Sequence, residues 1–370
     1  MDFNFSDDQQ QLRDAVAKWV EKGYGFERRR ATEAAGGFSR EAWDELAELG
    51  LGGLYIPEDE GGLGTGPVEG MVVMEELGRG IVLEPLSQSF IAGAVLAAHA
   101  DQDTKDNWLP RIAGGQALVV LAHQERKARY RLDVCETKAA KAGSGWAVSG
   151  TKSLVPAGDE ADAFIVPAQV DGKIALFLVE RAADGVAARG YGTQDGSRAA
   201  EVVFDKAAGI LITQDGLPEL ERAVDIGIAA TCAEAVGVMD KTLAITVEYM
   251  NTRKQFGVAI ATFQALRHRV ADMKMQLELA RSMSYYATLK LNAPAAERRQ
   301  ALARAKYQLG VSMRFVSQQS VQLHGGIGVT YEHDLHLFLR RGVLDQALLG
   351  TPADHRQRIA DLMVTDGRAA

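Results

Sequence analysis

The spacing of apolar residues changes twice along this chain, and this change limits the possible folds more than any other feature. Up to about residue 115, apolar side chains recur at the helical period of about 3.6 residues. From about residue 117 they form short runs typical of strands, and from about residue 217 the helical period returns. We therefore predict a mainly α-helical chain with a β middle domain: an N-terminal helical domain (1–115), a middle β domain (116–216) and a C-terminal four-helix bundle (217–370).

Two serines mark the starts of helices in the N-terminal segment. Ser6 is a good N-cap for a helix over Asp7–Glu21, and Ser39 for a second helix that stops at the glycines of residues 50–53. The glycines and Pro67 that follow exclude helix over residues 57–66, which we predict to be a tight loop.

Short apolar or β-branched runs define the middle segment, with Gly, Asp and Pro between them. They are residues 119–121, 146–148, 164–166, 175–179 and 202–204. Because they recur without long helical stretches between them, they predict a small antiparallel barrel or sandwich.

The C-terminal segment shows the longest helical pattern. Leu266, Val270, Met273, Leu277 and Ala280 follow each other at steps of 4, 3, 4 and 3 residues, so they lie on one side of a helix. A second helix is predicted over residues 295–323, with one side formed by Ala301, Ala305, Leu309, Ser312 and Val316.

Composition excludes several classes of function. A net charge of -8 and the absence of a basic face argue against nucleic-acid binding. The two cysteines, Cys135 and Cys232, form no disulfide or zinc pattern, and the histidines, including His324 and His333, have no metal-binding spacing. We see neither a signal peptide nor an apolar run long enough to span a membrane, so a cytoplasmic location is expected.

Two motifs in the C-terminal segment carry the functional signal. Residues 253–257 read Arg-Lys-Gln-Phe-Gly, and residues 322–328 read Gln-Leu-His-Gly-Gly-Ile-Gly. The guanidinium of Arg253 can bind a pyrophosphate through forked, charge-assisted hydrogen bonds. Gly325 and Gly326 lack a Cβ atom, so their backbone can approach a ligand closely. The alternative for each motif alone is a surface arginine or a glycine-rich helix end.

Together these motifs resemble those of the acyl-CoA dehydrogenase family, and the resemblance extends over essentially the whole chain. It implies an FAD cofactor, and it implies that both motifs reach the FAD of a neighbouring subunit in an oligomer. The cofactor-binding residues that it implies are Arg253, Gln255, Phe256, Gln264, Gln322, Gly325, Gly326 and Thr351.

The residues that the family uses for proton abstraction are absent. Family members remove the α-proton of an acyl thioester with a Glu, which usually lies in a Tyr-Glu-Gly-Thr stretch. Here the matching position is Leu349, and the alternative position on the helix before residue 253 is Gly227. Asp225 matches a CoA-binding aspartate of relatives, but the arginine that usually follows three residues later is Ile228.

The middle segment also departs from the family. The Thr-Glu-Pro loop that relatives place around the flavin is replaced by residues 124–130, Gln-Glu-Arg-Lys-Ala-Arg-Tyr, and the Trp-x-Thr strand by Leu154, Val155 and Pro156. The charged residues of this loop predict a solvated or interface surface.

We therefore expect a subunit of a heteromeric acyl-CoA dehydrogenase that lacks its own base, similar to the small subunits of pimeloyl-CoA dehydrogenase. The resemblance implies a second family subunit, plausibly as α2β2, an acyl-CoA substrate, an electron-transfer partner and a place in fatty or dicarboxylic acid degradation. One alternative is an active homotetramer with a relocated base, for which the candidates are Glu125, Glu234 and Glu332. Another is a flavin-free scaffold.

Overall fold

The structure is a computed structural model that describes residues 5–369 and, within them, the side chains up to residue 364. The described chain divides into two compact units. The first contains residues up to 26, residues 71–82 and residues from 228 onward; the second contains residues 27–70 and 83–227.

Two helices of the N-terminal segment were predicted individually, and both begin at the predicted residues. The helices of this segment are α1 (Asp7–Gly23), α2 (Phe26–Ala34), α3 (Arg40–Glu48), α4 (Pro67–Gly80), α5 (Leu86–His99) and α6 (Gln102–Ala113). Ser6 caps α1 in a capping box: its hydroxyl accepts from the amide of Gln9, and its own amide donates to the Gln9 side chain. Ser39 caps α3 through the amide of Ala42. Both predicted N-caps are confirmed.

The strands of the middle segment belong to the second unit. They are β1 (Val119–Leu121), β2 (Lys138–Ala142), β3 (Gly145–Pro156), β4 (Ala163–Val170), β5 (Lys173–Glu180), β6 (Val186–Gly192) and β7 (Arg198–Thr213). Each of the five apolar runs predicted from the sequence lies in one of them.

These strands form a closed barrel. The order is β1-β4-β2-β3-β7-β5, with β6 beside β7, and β4 also pairs with β5, so five strands close a ring. The barrel is not purely antiparallel, because β4 runs parallel to β1 and, at one residue pair, to β2. Its interior is filled by side chains that include Val148, Phe164, Phe177 and Phe204. β4 is buried from Ala163 to Ala168, which explains its continuous apolar sequence.

Long helices form the C-terminal segment. They are α7 (Gly216–Thr252), α8 (Gln264–Lys290), α9 (Ala295–His324), α10 (Leu335–Ala347) and α11 (Pro352–Ala369). A short hairpin of β8 (Lys254–Gln255) and β9 (Val258–Ala259) lies between α7 and α8. The predicted sides of α8 and α9 face inward: Met273, Leu277 and Ala280 are buried, and so are all five residues named on α9.

Close backbone contact joins α4 to α7 inside the first unit. A Cβ atom at Gly237 would lie 1.8 Å from the carbonyl oxygen of Glu75, and one at Gly78 would lie 2.0 Å from that of Glu234. Glycine at both positions therefore lets the two helices touch. Beside this crossing, the carboxylate of Glu75 binds Arg13 of α1 and Arg281 of α8.

Candidate functional site

The hairpin after α7 presents the first motif to solvent. The amide of Arg253 donates to the carbonyl of Tyr249 at 2.8 Å and ends the helix, and the amide of Ile260 donates back to Arg253 at 2.9 Å. Phe256 and Gly257 connect the two strands with φ angles of 52° and 83°, as a type I′ turn requires. Phe256 is consequently 91% exposed at the tip. Arg253 and Gln255 are exposed beside it.

The second motif forms a turn at the end of α9. Gly325 has φ 64° and ψ -139°, a region of backbone space that side chains strongly disfavour. A Cβ atom at Gly325 or Gly326 would meet nothing within 4 Å, so the backbone faces open space there. This turn therefore offers accessible backbone to a ligand, as the motif predicted.

Tyr249 brings the two motifs together. Its hydroxyl donates to the carbonyl oxygen of His324 at 3.2 Å, and its ring stacks on the His324 ring with centroids 4.4 Å apart. Tyr249 lies one helical turn before Arg253, where the hairpin begins, and it contacts His324, the residue before the glycine turn. The hairpin and the glycine turn therefore both begin close to this contact. Sequence reasoning missed this contact, although the one-turn spacing could have drawn attention to Tyr249.

The other predicted cofactor residues are distributed over three elements. Gln264 is exposed at the start of α8, next to Phe263, whose ring lies 6.0 Å from that of Phe256. Gln322 is exposed in the last turn of α9. Thr351 lies on the turn before α11, where its amide donates to Asp354 at 2.9 Å and caps that helix.

The turn between α10 and α11 holds Leu349 at the usual base position. Leu349 has a φ of 56°. The buried ammonium of Lys306 donates to the carbonyls of Asp345 at 2.6 Å and Gly350 at 3.2 Å. The ring Nε2 of His355 lies 3.1 Å from the carbonyl oxygen of Leu349, which can only accept, so this nitrogen carries a proton. Polar groups thus hold the backbone, while the side chain at 349 is aliphatic.

Burial lowers the pKa of both Lys306 and His355, the two side chains that hold this turn. It lowers the pKa of Lys306 to about 8, against the opposing effect of the Cys232 thiol and the Asp345 carboxylate. Burial, together with the nearby charges of Arg358 and Lys306, lowers the pKa of His355 to about 3. His355 is therefore neutral near neutral pH.

Asp225 and Gly227 lie on the first half of α7. Asp225 is only 1% exposed, and Gly227 is buried. Gly227 supplies no side chain, so it offers no base. A substrate-binding role for Asp225 stays a prediction.

Two of the three candidate relocated bases are buried in ion pairs. Glu125 accepts hydrogen bonds from the Lys152 ammonium at 2.7 Å and from the backbone amides of Glu136 and Thr137. Burial alone raises the pKa of Glu125, but Lys152 and these hydrogen bonds outweigh it and bring the pKa to about 2. Glu234 is 5% exposed, and its carboxylate lies 2.6 Å from Nη2 of Arg341.

The third candidate base, Glu332, is exposed in the segment after the glycine turn. Its hydrogen bond with the Thr330 side chain lowers its pKa.

Both cysteines are buried and free. Among the described side chains, those of residues 5–364, no cluster of three or more His, Cys, Asp or Glu could hold a metal ion. No helix within the same range is long and apolar enough to cross a membrane.

The chain combines a helical segment, a β barrel and a helical bundle, and the bundle presents an arginine hairpin beside a glycine turn. This combination is that of the flavin-dependent acyl-CoA dehydrogenases. The family's N-terminal domain profile matches residues 6–116, and its C-terminal domain profile matches residues 214–364. Acyl-CoA dehydrogenase IpdE2 of Mycolicibacterium smegmatis is 30% identical over 96% of this chain and 98% of its own length. This chain belongs to the acyl-CoA dehydrogenase family.

Solved structures of two-component proteins resemble the chain over nearly its full length. The Tcur3481–Tcur3483 steroid ACAD aligns with a TM-score of 0.90 and 28% identity, covering 98% of this chain and 99% of that one. The ChsE4–ChsE5 complex from Mycobacterium tuberculosis aligns with a TM-score of 0.90 and 25% identity, with the same coverage. The predicted fold class is confirmed.

Members of the family are FAD-dependent flavoproteins. The donors on this surface fit such a cofactor: an exposed guanidinium at Arg253, exposed amide side chains at Gln255 and Gln322, and open backbone at Gly325 and Gly326. Planar forked donors and unhindered backbone amides are the groups that bind a pyrophosphate.

Proposed function

We propose that this chain is the subunit without a catalytic base in a heteromeric acyl-CoA dehydrogenase. In this proposal its hairpin and glycine turn complete the FAD site of a second family subunit, and that subunit supplies the carboxylate. The substrate is an acyl-CoA thioester, and an electron-transfer partner reoxidises the flavin. An α2β2 assembly satisfies these requirements.

The observation that carries the proposal is the lack of an available carboxylate at either base position. Leu349 and Gly227 cannot accept a proton. Two carboxylates that could replace them, Glu125 and Glu234, are buried against Lys152 and Arg341. A general base must reach the proton that it removes, and a carboxylate in such a pair is held away from it.

The β barrel provides a second observation that supports the proposal. The loop over residues 124–130 takes the place of the family's flavin-binding loop, and the ion pair between Glu125 and Lys152 anchors it to β3. The amide of Ser153 also donates to the carbonyl of Gln124 at 2.8 Å. The loop is therefore held by this chain's own side chains, which favours FAD binding by the neighbour rather than here.

Within this proposal each element has a defined task. When bound, FAD would supply the acceptor for a hydride from the β-carbon of the substrate. Arg253 and the amides of Gly325 and Gly326 bind and orient its phosphates. Phe256 packs against the neighbouring subunit and excludes water from this edge. Leu349 supplies no titrating group, so α-proton removal takes place on the other subunit.

Co-expression with a second family member that has the carboxylate tests the proposal. We expect this chain alone to purify without flavin, and the co-purified complex to be yellow and to bleach when an acyl-CoA is added. A panel of straight-chain, dicarboxylyl and steroid acyl-CoA thioesters then identifies the substrate class. A yellow homomer that an acyl-CoA bleaches contradicts the proposal and favours the active homotetramer. Absence of flavin with every partner contradicts it too and favours the scaffold.

A further inference from the structure

His324 is a buried side chain with a nitrogen that has no hydrogen-bond partner. It is 3% exposed, at the last residue of α9. Its Nδ1 atom lies 2.8 Å from the carbonyl oxygen of Ser320 and must carry the proton, because a carbonyl only accepts. In the neutral ring Nε2 is then an acceptor, and it is buried without a donor. Such groups are rare and call for an explanation.

Rings from two other segments enclose His324. Tyr249 of α7 stacks on it at an interplanar angle of 22° and donates its hydroxyl to the carbonyl of His324. His333, from the segment after the glycine turn, meets it edge to face at 4.8 Å. Nδ1 of His333 accepts from the amide of Leu335, so its other nitrogen carries the proton. We refer to Tyr249, His324 and His333 as the ring stack.

The ring stack is the contact that joins the two elements of the proposed cofactor surface. On one side Tyr249 lies one turn before Arg253, and on the other His324 immediately precedes Gly325 and Gly326. The glycines have no side chains to hold their own position. The ring stack therefore links the hairpin that carries the guanidinium to the turn.

We propose that His324 is the positioning residue of this surface and a pH switch for the cofactor. When neutral, it keeps the glycine turn against α7, and when Nε2 takes up a proton, the ring stack opens and the dinucleotide is released. This inference rests on the proposed function for its cofactor, but the opening of the turn does not require any cofactor.

The surroundings of the ring favour its neutral form. Burial lowers the pKa of His324, the hydrogen bond to Ser320 opposes this change, and His333 lowers the pKa further. The titratable groups that face the ring are Tyr249 from α7 and His333 from the segment after the turn, and its own helix presents a carbonyl to Nδ1. None of these groups is a carboxylate, so they offer no counter-charge to a proton on Nε2.

The sign of the pH effect follows from this direction. Because the pKa is depressed in the closed turn, the open turn binds a proton more readily as the pH falls below about 6.5. Opening that takes up one proton becomes more favourable by up to about tenfold per pH unit below that value. At higher pH both states are neutral and the slope disappears.

Hydrogen–deuterium exchange of the peptide over residues 325–332 tests the switch in the whole chain without flavin. We compare wild type with His324→Phe, which keeps an aromatic ring, and His324→Gln, which keeps a polar group. Neither substitute titrates. His268→Phe is the matched control, because His268 is exposed on α8. Rates are corrected for the intrinsic pH dependence of exchange.

Wild type and His268→Phe should lose protection as the pH falls from about 7.5 to about 5.5, by up to about tenfold per unit, whereas both His324 variants should show no slope. A slope that persists in both variants, or no slope in wild type, overturns the switch. In the flavin-containing complex, wild type should lose FAD over the same pH range and His324→Phe should retain it. Equal FAD retention in both overturns the link to the cofactor.

A complex that never binds flavin contradicts the proposed function, and it also overturns the cofactor part of this inference. The exchange measurement still decides the switch itself, so the two failures are distinguishable.

Discussion

At the scale of single residues, Leu349 adopts a left-handed backbone conformation with a φ of 56°. This conformation costs a side chain such as leucine about 1–2 kcal/mol. Lys306 and His355 hold the turn by binding the carbonyls of Gly350 and Leu349. The turn keeps its shape through hydrogen bonds from these two side chains to its backbone carbonyls, so it does not depend on a glutamate at position 349.

Arg253 should bind the cofactor through the shape of its guanidinium as well as its charge. In the flavin-containing complex, Arg253→Ala should weaken FAD binding by about tenfold or more, and Arg253→Lys should restore only part of it, because a lysine lacks the forked donors. Equilibrium dialysis against free FAD measures both values. Lys254→Ala, at an exposed neighbour on the same hairpin, is the control for net charge. Equal losses for Arg253→Ala and Lys254→Ala would contradict a specific role.

The buried pair of Glu125 and Lys152 predicts a large cost for single substitutions. Glu125→Gln or Lys152→Met should each lower the free energy of unfolding by about 3–5 kcal/mol, because each leaves a buried partner without its counterpart. The double variant should lose less than the sum. Urea unfolding measures these changes.

The exposed pair of Lys127 and Glu136 is the matched control for that experiment, since Lys127 lies on the same loop as Glu125. Lys127→Met should leave stability unchanged, because exposed ion pairs contribute little. Single variants of the buried pair that behave like this control would show that the pair does not hold the loop.

At the scale of elements, one lysine of α9 determines how α10 ends. Lys306 is fully buried, and its ammonium binds the carbonyls of residues 345, 346 and 350. These carbonyls belong to the last turn of α10 and to the turn after it, where a helix leaves its acceptors unsatisfied. A single side chain thus connects the bundle to the Leu349 turn.

Lys306→Met should keep most of the buried volume and remove these hydrogen bonds. We expect the free energy of unfolding to fall by on the order of 1–3 kcal/mol for the carbonyls left without a donor. Exchange of the amides over residues 346–352 should increase more than exchange in α8. Uniform faster exchange along the whole bundle would instead indicate a general loss of packing.

At the scale of the whole molecule, the buried titrating groups predict acid instability. The pKa of His355 is depressed to about 3, so its contribution to stability is full above about pH 6.5 and is lost as the pH falls below that value. The pKa of Glu125 is depressed to about 2, so its contribution declines as the pH falls below about 4.5. Both groups therefore lower the free energy of unfolding as the pH falls.

We therefore expect the midpoint of urea unfolding to fall in two stages, below about pH 6.5 and again below about pH 4.5. His355→Gln should reduce the first stage, to which His123 and His324, whose pKa values burial also lowers, contribute as well. Glu125→Gln should flatten the second stage. His268→Gln, at an exposed position on α8, should change neither. A midpoint that is constant from neutral to acid pH would contradict the assignment of both groups.

The sequence by itself determined the helical, β and helical order of the three segments, because periodicity and capping are local properties. The capping box at Ser6, the buried side of α9 and the five strand runs all follow from neighbouring residues. The two glycine-containing motifs also identified the family through their resemblance to it, and the resemblance implied the FAD cofactor. Forked donors and open backbone are groups that suit a pyrophosphate.

Only the tertiary structure decided which of these residues meet. The pairing of β5 with β7 in the barrel, the ion pair of Glu125 with Lys152, and the stacking of Tyr249 on His324 join residues that are 27 or more positions apart in the chain. No local pattern encodes such contacts, because they depend on how whole elements pack. The same packing left an unpartnered nitrogen on His324, beside the turn that the motif had predicted.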